Sequence, residues 1–202
     1  MSYRLHSTSG KCPICQSETQ TSFPEQALFF YFNGQVECIN GYRLKNGFHI
    51  DIFIPSKNVG IEYDGPKHQT PKQKARDKRK NLLLKEMGIK LYRVIESEEF
   101  CVEGNAIYVT YDKNYSYLNY AIENLCKLIG VLYVPLDVEG NKTAIIESYL
   151  TREKENSIAS LYPHLLEEWD YEKNGNIAPE CVSRGSNLKL YWKCKKGHSW
   201  SA

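Results

Sequence analysis

A chain of 202 residues can hold one core of ordinary size and a smaller module, and a hydrophobic fraction of 42% with 15 Tyr and 3 Trp excludes wholesale disorder. No run approaches the ~18 apolar residues of a membrane span, and the N-terminus lacks the apolar segment of a secretory signal, so no membrane association is expected and the chain is placed in the cytoplasm. The net charge of +2 conceals a local imbalance: residues 67–90 carry nine Lys or Arg against two acids, a basic patch suited to phosphate.

In chain order, residues 1–20 are polar apart from Lys11-Cys12-Pro13-Ile14-Cys15 and are expected to form an irregular, metal-stapled segment. In a reducing compartment such a cysteine pair suggests metal before disulfide. Ser22-Phe23-Pro24-Glu25 opens a helix with a capping box and Pro in the first turn, ending near Asn33-Gly34. Strands are expected over 36–44, 47–54 and 59–64, with the turn Pro55-Ser56-Lys57-Asn58 between the last two.

Thr70-Pro71 begins a helix that stops at Gly88, followed by a strand over 89–95. A strand at 106–111 and a helix at 116–129 complete the domain. This order predicts an α/β fold with a mixed sheet flanked by helices. The expected divisions are an N-terminal zinc knuckle at 1–20, the α/β domain at 21–134, a helical connector at 135–160 with its helix over 142–154, and a small metal-dependent module at 161–202. The last is too short for an unsupported core.

Side chains alternate along a strand, which places Ile50, Ile52 and Ile54 on one face with Asp51 on the other, and sets Ile61 and Tyr63 against Glu62 and Asp64. A four-residue turn at 55–58 pairs Ile54 with Val59 and so puts Asp51 opposite Glu62, with Cβ atoms ~4.5–5.5 Å apart. Like charges so placed destabilise a hairpin unless a cation lies between them, and hard oxygen donors suggest Mg2+ or Mn2+. Asp64 adds a third carboxylate on that face, and His68 follows as a proton carrier. An exposed acidic edge with no ligand is the alternative.

On the helix over 72–85, Lys74, Lys78 and Lys85 share a face with Asn81, leaving Ala75, Leu82, Leu83 and Met87 as the apolar surface for the sheet. Beside an acidic metal site, Lys67, Lys74, Lys78, Arg79 and Lys85 are expected to hold DNA phosphates.

The spaced elements Ile50-Asp51, Ile61-Glu62-Tyr63-Asp64-Gly65, His68, Asp77-Lys78-Arg79-Lys80-Asn81 and Gly88-Ile89-Lys90-Leu91-Tyr92-Arg93-Val94 resemble the PD-(D/E)xK nucleases, in the branch related to very-short-patch repair endonucleases. The resemblance spans roughly residues 22–96. It implies a restriction-endonuclease-like fold, a catalytic Mg2+ or Mn2+ on Asp51 and Glu62, and a helper role for Glu25, for which the capping box is the competing account. One departure is plain: the family's lysine, two residues after the second acid, is Asp64 here, leaving Lys67, Lys78 or His68 to substitute.

Cys194-Lys195-Lys196-Gly197-His198 and Cys12-Pro13-Ile14-Cys15 together make a Cys3His zinc set. The segment containing Glu168-Trp169, Trp192-Lys193-Cys194 and Gly197-His198-Ser199-Trp200 resembles bacterial treble-clef zinc-ribbon repeats, whose Cys-Pro-x-Cys knuckle normally comes after the Gly-His-x-Trp element. The order here suggests a ribbon split between the termini with the nuclease inserted. A chain cut short at Ala202, or halves completed by a neighbouring chain, are the alternatives. Cys38, Cys101, Cys126 and Cys181 lack partners at ligand spacing.

The sequence therefore leads to a metal-dependent endonuclease acting on DNA, in all expectation double-stranded, with a zinc ribbon assisting binding. The alternative is a nuclease fold without activity that retains DNA binding. A protein-binding scaffold is the weakest case because it leaves the acidic face unexplained.

Overall fold

The computed structural model describes residues 22–44, 47–65 and 71–202, the side chains of 71–74 excepted. It divides into two compact units, whose described parts are 22–145 and 146–202.

The first unit is a mixed α/β structure. Helix α1 (Phe23–Asn33) precedes strands β1 (Ile39–Arg43), β2 (His49–Ile54) and β3 (Val59–Asp64), followed by α2 (Pro71–Glu86), β4 (Lys90–Glu96), β5 (Cys101–Glu103), β6 (Ala106–Val109) and α3 (Tyr117–Ile129). The sheet has the order β1-β2-β3-β4-β6-β5. β1, β2 and β3 run antiparallel, β3, β4 and β6 run parallel, and β5 returns antiparallel to β6. β5 was not foreseen from the sequence; it is three residues long, too short to show a period.

The two faces are covered differently. Ala27, Leu28 and Phe32 of α1 and Leu118, Ile122 and Leu125 of α3 pack with Ile52, Ile54, Ile61, Tyr92 and Val94 in the main core. On the other face Leu84 of α2 packs with Ile50, Phe53, Leu44 and Ile89. This corrects the expected apolar stripe of α2. Leu82 and Met87 are exposed, and Lys80 and Leu84, four residues apart and so one above the other, turn toward the sheet.

The hairpin register is as expected, with Ile54 paired to Val59, Phe53 to Gly60 and Ile52 to Ile61. The pairing stops one step before Asp51 and Glu62, where the Tyr63 N–H donates to Asp51 Oδ2 at 3.0 Å instead. The alternation expected for Ile50, Ile52 and Ile54 also fails: Ile50 joins Phe53 on the α2 side. The cause lies next door, because Gly41 faces Asp51 between the pairs Asn40–Ile52 and Tyr42–Ile50 and takes a φ of +61°. A left-handed residue interrupts the pleat, and such irregularities re-aim side chains beside sites. The turned Ile50 needs space that only glycine leaves at position 60, where an added Cβ would lie 2.9 Å from Ile50 Cγ2.

The expected connector begins too early. Val138 and Ile145 belong to the main core, and the Val134 N–H donates to Tyr31 Oη at 2.8 Å, so residues 135–145 pack in the first unit. Helix α4 (Lys142–Glu155) starts there. No helix among the described residues is long and apolar enough to cross a membrane.

The second unit holds α5 (Ile158–Leu161), α6 (Tyr171–Asn174) and a hairpin of β7 (Tyr191–Lys193) and β8 (Ser199–Ser201). Among its described residues the core comprises Ile158, Trp169, Val182 and Leu190.

Candidate functional site

Ser22 caps α1 as the sequence predicts. Its Oγ accepts from the Glu25 N–H and donates to Glu25 Oε1 at 3.1 Å, while its own N–H returns to the Glu25 carboxylate. The capping box and a place in the site are not alternatives, because Asp51 is near enough for its charge to act on Glu25. Burial first, and then Asp51, push the Glu25 carboxyl up to about 7.

Asp51 is itself held above the ordinary carboxylate range by burial, against the pull of the Tyr63 N–H, Lys80 and His49. His49 Nε2 lies 3.8 Å from Asp51 Oδ1. Burial lowers the imidazole's pKa, so this is a neutral neighbour near pH 7 rather than a fixed cation.

Glu62 is 5% exposed and ion-paired to Lys80 Nζ and to Arg93 Nη2, the latter at 3.0 Å. Arg93 Nη1 reaches Asp64 Oδ2 at 2.8 Å. β3 and β4 run parallel with Glu62 beside Arg93, which is how one guanidinium spans both acids. Asp64 therefore anchors Arg93, while its charge still acts on Asp51 and helps to hold that carboxyl up.

A buried lysine that the sequence did not single out stands beside these carboxylates. Lys80 comes from α2, is 8% exposed, sits within the field of Asp51, and has its pKa lowered by burial to about 8. Lys78, offered as the substitute, is exposed and lines a shallow depression with Asp77, Asn81, Leu82 and Lys85. Arg79 and Lys85 are likewise exposed. Lys67 and His68 lie outside the described residues, as does the side chain of Lys74.

Among the described residues, no three His, Cys, Asp or Glu side chains converge on a point where a metal would sit. Glu25 and Asp51 nevertheless suit a hard divalent cation, because each is a carboxylate whose ionisation burial opposes. Mg2+ commonly binds through one or two carboxylates while keeping several waters. Glu62, expected as a metal ligand, is occupied by Lys80 and Arg93 instead.

In the second unit Cys194 Sγ and His198 Nδ1 lie 3.6 Å apart across a tight turn. The Cys194 N–H donates to His198 O, the Gly197 N–H donates to Cys194 O, and Gly197 has a φ of +86°. Backbone geometry thus aims a thiol and an imidazole at one point, half of a zinc site. Asn174 fixes the hairpin by accepting from the Tyr191 N–H and donating to Tyr191 O, and Asp170 accepts from Ser199 Oγ at 2.7 Å. Trp169 packs edge-on to Trp192 at 5.3 Å. Cys12 and Cys15 lie outside the described residues.

No curated protein and no solved structure matches the chain. A family model described as a "Probable Treble clef zinc finger domain" matches residues 165–202, the stretch that holds Cys194 and His198 and the expected zinc-ribbon part. That match suggests a zinc ion in the second unit; zinc fingers as a class commonly contact nucleic acid.

Proposed function

We propose that the chain is a Mg2+- or Mn2+-dependent endonuclease of restriction-endonuclease-like fold that hydrolyses phosphodiester bonds in DNA, with the zinc-finger unit assisting substrate binding. The observation that carries this reading is the pair Glu25 and Asp51, whose charges act on each other, with the buried ammonium of Lys80, ion-paired to Glu62, in the field of Asp51 at the irregular end of one hairpin. The PD-(D/E)xK resemblance supplies the family and the exposed Lys78, Arg79 and Lys85 supply a phosphate-binding surface.

Glu25 and Asp51 would hold the cation, which when bound polarises a phosphoryl oxygen and acidifies water. Lys80, with a pKa near 8, exchanges a proton close to neutral pH and places positive charge beside the scissile phosphate. Glu62 and Arg93 hold Lys80 and each other in place. His49 takes the part foreseen for His68, a neutral base against Asp51.

One observation favours a second reading, DNA binding without cleavage: both oxygens of Glu62 are already ion-paired. Supercoiled plasmid incubated with Mg2+, Mn2+ or EDTA separates the two. Nicking or linearisation that needs the metal and disappears in Asp51→Ala and Lys80→Met establishes the nuclease. Plasmid retardation without any change of topology in the metal-replete wild type establishes the binder.

A further inference from the structure

Beside the acidic cluster lies a group of rings that the proposed chemistry does not use. Tyr111, just past the carboxyl end of β6, is 50% exposed, and its ring sits 6.1 Å edge-on to Tyr115 and 5.9 Å from Tyr117. Tyr115 in turn lies 4.6 Å from Phe23, two residues from Glu25 in the first turn of α1. Lys142 Nζ stands 5.7 Å from the centres of both Phe23 and Tyr115, within cation–π range.

Three features separate this group from ordinary core packing. Tyr115 has a φ of +57°, a left-handed conformation that bulky residues rarely adopt. Asp112 holds it there: its carboxylate accepts from the N–H groups of Asn114, Ser116 and Tyr117 and from Ser116 Oγ. The chain is thus forced into a strained turn whose product is a supported, half-exposed ring. A backbone outlier of this kind is a reason to look for function.

The rings are also joined to the acidic cluster. Tyr117 Oη and Tyr63 Oη are 2.8 Å apart, Tyr63 Oη donates to Glu96, and the Tyr63 N–H holds Asp51. An aromatic surface with a cation beside it suits a nucleobase with its attached phosphate, because every base presents a π-face and every nucleotide a negative charge.

The geometry points to Tyr111, buttressed by Tyr115 and Tyr117, with Lys142 at the Phe23–Tyr115 end of the same group of rings, as a stacking shelf for one unpaired nucleobase of the nucleic acid bound at the Glu25–Asp51 cluster. The inference rests on the nucleic-acid reading above and narrows the substrate to DNA with an extrahelical or single-stranded base near the scissile bond. Tyr111 supplies the free ring, Tyr115 and Phe23 hold its support, and Lys142 meets the adjoining phosphate.

The test uses the full chain in EDTA, so that cleavage plays no part. A duplex with one extrahelical 2-aminopurine is titrated by fluorescence alongside the same duplex fully paired. Wild type is expected to quench the 2-aminopurine on binding. Tyr111→Ala should bind the bulged duplex about tenfold more weakly and the paired duplex unchanged, with Tyr111→Phe restoring both quenching and affinity. Lys142→Ala should weaken binding and leave the quenching at saturation intact. Equal affinity of wild type and Tyr111→Ala for the bulged duplex, or no quenching by a wild type that binds both duplexes, overturns the shelf and leaves the nuclease reading to the plasmid experiment.

Discussion

The two units solve the problem of a small core in opposite ways. In the sheet unit two helices and a strand face bury a continuous apolar core, large enough that Glu62, Lys80 and Arg93 can be taken largely out of water beneath α2. Among its described residues the second unit has a small apolar core of Ile158, Trp169, Val182 and Leu190, and its polar groups do different work: Asn174 bonds the backbone of Tyr191 and Asp170 the hydroxyl of Ser199, which holds one hairpin. Buried polarity in the first unit is a charged site supported by packing; in the second it is the packing's substitute. Stability in the first should therefore survive loss of any ion, and in the second it should not.

The largest effect tests that contrast directly. Chelation of zinc, or Cys194→Ser, is expected to abolish structure over residues 158–202, because structural zinc contributes folding free energy of ~10 kcal/mol or more in small modules. Amide hydrogen exchange should show protection lost around β7 and β8 and retained in β2, β3 and β4. Loss of protection in the sheet as well would break the comparison.

The next effect is confined to the sheet unit. Arg93→Met removes the guanidinium that bridges Glu62 and Asp64, and leaves Glu62 with Lys80. Breaking a buried ion pair from one side costs about 3–5 kcal/mol, and the partial exposure of this group puts the expectation at the lower end. Urea denaturation should show a lowered midpoint with an unchanged slope. A loss below about 1 kcal/mol would mean that water reaches Glu62 freely, as at an exposed pair.

Legibility in the sequence followed the range of the interaction. The β2–β3 register, the capping box at Ser22 and the turn at 55–58 are set by neighbours, and all were readable from residue types and spacing. The charged cluster depends on which face α2 turns to the sheet, and there the sequence misled. Leu82, Leu83 and Leu84 are consecutive, so any of three faces could carry the apolar stripe, and the choice of Leu84 brings Lys80 inward. Arg93 becomes a site residue only through the parallel pairing of β3 with β4, a contact between residues 31 apart. His49 was within reach, being two residues from Asp51 on one strand. Ile50 was not, because its reversal depends on the left-handed Gly41 in the neighbouring strand.

The smallest effect concerns the strain that the sheet unit tolerates at the site. Glu25 has its carboxyl raised from 4.5 to about 7, so the folded state binds a proton that the unfolded state has released. The stability this confers is full below pH 4.5 and lost as pH rises through 7. Lys80 is lowered from 10.5 to about 8, so its contribution is full above 10.5 and lost as pH falls through 8. Between 7 and 8 both groups are charged against the preference of the fold, and a divalent cation on Glu25 and Asp51 relieves the first. Glu25→Gln should therefore stabilise the metal-free protein by about 2 kcal/mol at pH 8 and by nothing at pH 4. Mg2+ at pH 8 should raise the wild-type melting midpoint and leave that of Glu25→Gln nearly unmoved. A variant as stable as wild type at both pH values, with no response to Mg2+ in either, would show that Glu25 serves α1 as a cap alone, and that the sheet unit, unlike its neighbour, was never built around a metal.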